Sequence, residues 1–76
     1  MTRPAKRSLT LHGHRTSVSL EDEFWQSFRR LAQAEGRALN ELAAEIDAAR
    51  PPGIGLATAI RLFVLRSFQA QVDQRE

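Results

Sequence analysis

The sequence predicts a small, mainly α domain with one β-strand, and three observations carry that prediction. Arg15-Thr16-Ser17-Val18-Ser19-Leu20 alternates polar and apolar side chains, the period of a strand with one buried face. From Glu21 onward apolar residues recur at three- and four-residue spacing in three runs, parted at Gly36 and at Pro51-Pro52-Gly53. With 76 residues and no cysteine, the chain lacks both the length for a large core and any disulfide or thiolate-metal staple. Association with a second copy is the remaining source of stability.

The strand places Thr16, Val18 and Leu20 on one face and Arg15, Ser17 and Ser19 on the other. A lone strand leaves two rows of backbone donors and acceptors to be satisfied, and nothing later in the chain reads as a partner. The expectation is therefore an intertwined homodimer, in which two copies of the strand form an antiparallel ribbon and present the polar face outward twice. Arg7-Ser8-Leu9-Thr10-Leu11 also alternates, but its apolar residues are odd-numbered where those of the main strand are even, and Gly13 lies at the slip. A glycine there fits either a bulge in one longer strand or the bend of a small hairpin. A bulge or a loosely ordered extension is favoured, because a hairpin at His12-Gly13-His14 would compete with pairing between chains.

Charge is distributed unevenly. Arg3, Lys6, Arg7 and Arg15 give the first twenty residues four cations and no acid, while residues 21–76 carry seven Lys/Arg against nine Asp/Glu. That asymmetry points to a polyanionic partner for the N-terminal part. Residues 1–6, with Pro4 and no periodicity, are expected to form a flexible basic arm. No apolar run is long enough to span a membrane and no signal peptide is evident, so a cytoplasmic protein is expected. His12 and His14 resemble half of a metal site. Two imidazoles around a glycine, with no cysteine nearby, are too few and too loosely held, so no metal or other cofactor is expected.

Glu21 to Glu35 reads as the first helix, with acids at its positive end and Gly36 as its terminator. Ser19 could double as its N-cap. Phe24, Phe28, Leu31 and Ala32 line one face, which is a core stripe. Arg37 to Asn40 connects to a second helix whose apolar face holds Leu39, Leu42, Ala43 and Ile46, and which stops near Arg50 because Pro51-Pro52-Gly53 cannot continue it. A third helix follows from Gly55 to about Val72, with Leu56, Ile60, Phe63, Val64 and Phe68 inward. Leu62 and Leu65 widen that stripe beyond the needs of a surface helix, so part of it is expected to meet a second subunit. The polar tail from Gln69 should fray. The expected domain spans residues 7–72, followed by a frayed tail at 73–76. Its core or dimer residues are Thr16, Val18, Leu20, Phe24, Phe28, Leu31, Leu42, Ile46, Ile60, Phe63 and Val64.

One strand, a helix ending at glycine, a short link and a further helix resemble the ribbon-helix-helix superfamily of bacterial and phage repressors. The strings Gly13-His14-Arg15-Thr16-Ser17-Val18-Ser19-Leu20-Glu21-Asp22, Phe24-Trp25, Ala44-Glu45-Ile46-Asp47 and Phe63-Val64-Leu65-Arg66 are similar to a small bacterial subfamily predicted to bind DNA. The resemblance implies a ribbon in the major groove, with Arg15, Ser17 and Ser19 as base contacts. It implies backbone anchoring at the start of the second helix, through Arg37 and Asn40. Lys6, Arg7 and His14 complete the expected phosphate contacts. Two departures from the superfamily are visible: Ala38 stands where a Ser or Thr hydroxyl is common, and Pro51-Pro52-Gly53 interrupts a helix that typically runs on.

The implied function is a homodimeric, sequence-specific DNA-binding protein, a repressor that acts by occlusion, associated with the bacterial nucleoid and open to higher-order assembly on DNA. Two alternatives stand beside it: an antitoxin of a toxin-antitoxin pair, for which little apolar chain remains beyond Phe68, and a dimeric protein-interaction module that does not bind DNA. No nucleophile-base pair or paired-carboxylate site suggests an enzyme.

Overall fold

The computed structural model describes residues 3–74; of the expected arm and tail, residues 1, 2, 75 and 76 lie outside the described residues. The chain runs β1 (Ala5–Leu11), β2 (His14–Leu20), α1 (Asp22–Ala34), α2 (Leu39–Ala49) and α3 (Leu56–Asp73). The two strands form an antiparallel ribbon within one chain, in a register that sets Ala5 opposite Leu20, Ser8 opposite Ser17 and Leu11 opposite His14.

This corrects the expectation that residues 15–20 form the chain's one strand. The strand at residues 14–20 pairs with residues 5–11 of its own chain, and Ala5 and Lys6, assigned to the arm, begin β1. The bend is a two-residue loop, His12-Gly13, with positive φ at both positions, 52° and 80°. That is the type I′ pattern, whose twist matches the twist of paired strands. Histidine tolerates the left-handed region better than most side chains. The phase slip read as a bulge has the same origin. When Leu11 faces His14, every odd residue of β1 shares a face with an even residue of β2, so Leu9 and Leu11 join Val18 and Leu20.

Those four side chains are buried against Phe28 and Ala32 of α1, Leu42 and Ala43 of α2, and Ile60 and Val64 of α3. At roughly 1.5–3 kcal/mol for each large aliphatic or aromatic side chain, this cluster is the main favourable term in the fold. Phe24, Leu31, Ile46 and Phe63 pack around it half-buried. Phe63 meets Phe28 edge to face at 6.2 Å. Thr16, expected in the core, is exposed: it shares a face with Val18 and Leu20 but lies opposite Leu9 in the half of the ribbon nearer the turn.

Each helix boundary has a local cause. α1 closes in a Schellman motif: Gly36 takes φ 66°, its N–H donates to Gln33 O at 3.0 Å, and Arg37 N–H donates to Ala32 O at 3.0 Å. Its N-cap is Glu21, without a side-chain cap bond, so Ser19 is not the cap. α2 ends at Ala49, where Arg50 turns extended before Pro51. The link to α3 is tied by the Arg50 guanidinium, which donates to Asp47 Oδ1 at 2.7 Å and Ile54 O at 2.6 Å. α3 continues as helix to Asp73, past the point at Gln69 where fraying was expected. No helix among the described residues is long and apolar enough to cross a membrane.

Candidate nucleic-acid interface

Alternation along both strands sorts the ribbon into two chemically opposite faces. Opposite the buried leucines and valine, the pairs Lys6–Ser19, Ser8–Ser17 and Thr10–Arg15 project to solvent, and all six residues are exposed. That surface holds two cations, four hydroxyls and no acid. Of the residues expected to touch bases, Arg15, Ser17 and Ser19 lie together on it; Lys6, expected at the backbone, lies beside Ser19 on the same face. Ser8 and Thr10 were missed. Their signal was present in the polar positions 6, 8 and 10 of the first alternating run, once that run is read as a strand paired with the second.

The expected phosphate contacts divide between free and committed side chains. Arg7 lies on the inner face, where its guanidinium donates to Asp22 Oδ1 at 3.2 Å and sits 5.6 Å from the centre of the Trp25 ring. Its Nε is buried with no partner. Arg7 thus braces β1 against α1, a cation-π and ion-pair contact rather than an outward charge. His14 is exposed at the closed end of the ribbon, beside the turn. Among the described residues no group of three or more His, Cys, Asp or Glu side chains gathers around it or His12.

Arg37 stands just before α2, held by Glu45 and, at 3.8 Å, by Glu35. The hydrogen bond it donates to Glu45 raises its already high pKa, so the guanidinium is permanently charged but locally neutralised. Asn40, in the first turn of α2, accepts the Thr10 backbone N–H on its Oδ1 at 3.1 Å. It therefore covers an edge amide of β1 and fixes the ribbon to the helix that follows. The N-cap of α2 is Ala38, with no side-chain cap bond.

A second brace, unforeseen from the sequence, works at the other end of the ribbon. Arg61 of α3 donates to Glu21 Oε1 at 2.9 Å and to the Ser19 carbonyl at 3.1 Å, and lies 5.9 Å from the Phe24 ring centre. It joins the last outward residue of β2 to the start of α1. The Glu21 carboxyl is held below its ordinary pKa, first by its own backbone N–H and then by Arg61. Nothing local in the sequence marks Arg61, because the partners lie some forty residues away.

The geometry is thus a rigid, cationic two-stranded ribbon standing on a helical base. A family model of the ribbon-helix-helix domain matches residues 4–68, from the residue before β1 into the second half of α3. The chain belongs to the ribbon-helix-helix family. Searches of curated proteins and of solved structures return no significant match. Ribbon-helix-helix domains are regulatory DNA-binding domains, and this chain is accordingly a DNA-binding regulator.

Proposed function

We propose that the protein is a sequence-specific, homodimeric transcriptional repressor that lays the outer face of its β-ribbon in the major groove and blocks access to the promoter by occupying it. The observation that carries this reading is the acid-free outer face, on which Arg15, Ser17 and Ser19 stand side by side with Lys6. An arginine fork can donate two hydrogen bonds to guanine O6 and N7, and serine hydroxyls can serve as donor or acceptor. A groove ~12 Å wide admits a two-stranded ribbon. Asn40 and the opening amides of α2 flank the ribbon and provide phosphate donors near the positive end of a helix.

In this reading the helices contribute a dimer contact. Leu65, Phe68 and Val72 leave 49 %, 45 % and 65 % of their surface exposed along α3, an apolar strip suited to a second copy. The same strip is where a toxin partner would bind, which keeps the antitoxin alternative in view. Selection of bound fragments from bacterial genomic DNA, followed by titration across salt, tests the proposal. A repressor returns an enriched motif and an affinity that falls steeply with salt. Failure to enrich any motif, with a flat salt response, would favour a protein-interaction module.

A further inference from the structure

We infer that the hollow between α2, the Pro51-Pro52-Gly53 link and α3 binds a small amphipathic carboxylate, its apolar body inside and its acid group on Arg66. The hollow encloses about 460 Å³, within the range of sites that bury small molecules. Three segments wall it: Ile46 on α2, Pro51 and Ile54 on the link, and Leu62 and Phe63 on α3. A helix running straight on past Arg50 would carry its continuation away from α2, whereas the interruption folds α3 back and leaves a gap between them. Ile46, Ile54, Leu62 and Phe63 all remain half-buried, although the Phe63 ring also meets Phe28 on the core side at 6.2 Å. The apolar part of a ligand would complete their burial.

The polar groups of the lining decide the other end of the ligand. No acid lines the hollow among the described residues, and its side-chain donors are Arg50, Ser67 and Arg66. Ser67 Oγ donates to the Phe63 carbonyl at 2.9 Å, so its proton is spent. Arg50 is held by Asp47 and by Ile54 O. The exposed Arg66 guanidinium takes part in none of the ion pairs among the described residues, and it stands at an apolar mouth with its planar fork uncommitted. Such a fork matches a carboxylate with two parallel hydrogen bonds. A single uncommitted cation suits a monoanion, because a phosphate dianion would leave oxygens without donors beside an apolar wall. Leu62, Arg66 and Ala70 follow one another at four-residue spacing, on a different face of α3 from the strip Leu65, Phe68 and Val72. A second copy on that strip therefore leaves the hollow open.

The test is titration of the full, isotopically labelled chain with octanoate, octanol and octylammonium, followed by backbone amide chemical shifts. Octanoate should bind saturably at one site, with a dissociation constant of roughly millimolar or tighter, and move Ile54, Ala59, Leu62 and Ser67. Octanol should bind more weakly and octylammonium weakest. Arg66→Gln, at an exposed position, should keep the thermal midpoint and weaken octanoate about tenfold. It should leave octanol unchanged. Ala59→Leu, which fills the hollow from α3, should remove binding of both. Equal affinity for octylammonium, no effect of Arg66→Gln, or shifts confined to Leu65, Phe68 and Val72 would each overturn the inference. So would shifts of the lining residues that follow protein concentration instead of ligand, since a second copy would then occupy the hollow. No arm of the test uses DNA, so its failure leaves the DNA-binding reading untouched.

Discussion

The two faces of the ribbon are built from the same fourteen strand residues and behave as different materials. The inner face, Leu9, Leu11, Val18 and Leu20, is buried and meets all three helices; the outer face, Lys6, Ser8, Thr10, Arg15, Ser17 and Ser19, meets none of the core. A period of two thus separates stability from recognition by a single residue step. Substitutions on one face should change folding with no intrinsic effect on sequence preference, and those on the other the reverse.

Leu20→Ala is the most severe way to probe this division. Leu20 is fully buried, and such truncations destabilise by roughly 2–5 kcal/mol, comparable with the whole stability of a domain this small. The variant should be largely unfolded by circular dichroism at 37 °C. A normal melting curve would mean that the inner face is not the core. Arg15→Ala comes next, with a loss of roughly 1–3 kcal/mol of base discrimination and no shift in thermal midpoint. Binding by gel shift to matched and mismatched duplexes reads it directly. An equal loss on both duplexes would make Arg15 a phosphate contact.

At the turn between the faces, Gly13→Ala places a Cβ at φ 80°, at a strain of about 1–2 kcal/mol although the space around it is open. The ribbon should loosen with it, seen as faster amide exchange in β1 and β2 than in α1. Smaller again is the Arg61–Glu21 brace. Glu21 has a lowered pKa when folded, so its contribution is present above the ordinary carboxylate range and is lost as pH falls through the lowered value. The stability difference between the unmodified chain and Glu21→Gln should therefore be visible near neutrality and close as pH falls through the lowered carboxylate range. A gap that widens on acidification would contradict the pairing.

Much of the helical base was legible because its signals are local. The phenylalanine stripe, Gly36 and Pro51-Pro52-Gly53 act over one or two turns, and α1, α2 and α3 begin and end close to them. The ribbon was half legible. Both alternating runs and the glycine between them were visible, yet His-Gly is not among the strongest hairpin dipeptides, and the odd-to-even slip fits a bulge as well as a turn. What decides between them is a two-residue loop length, which the pattern alone does not separate from one extra residue in a strand. The roles of Arg7, Asn40 and Arg61 were out of reach for another reason. Each meets partners 15 to 42 residues away, so their partners follow only from the assembled fold. In the folded chain Arg7 and Asn40 brace the ribbon, a role that their polarity and place in the sequence do not announce.

The claim on which the rest depends is that the ribbon closes within one chain, and the cysteine-free sequence allows it to be tested with an engineered disulfide. Ser8 and Ser17 are directly opposite, at a Cα separation that suits a disulfide, so a Ser8→Cys, Ser17→Cys double variant should oxidise to a species that migrates as a monomer on a non-reducing denaturing gel. The single variants should remain uncrosslinked at the same concentration. A covalent dimer formed by Ser17→Cys alone would show β2 paired with its copy, and the self-contained ribbon would be contradicted.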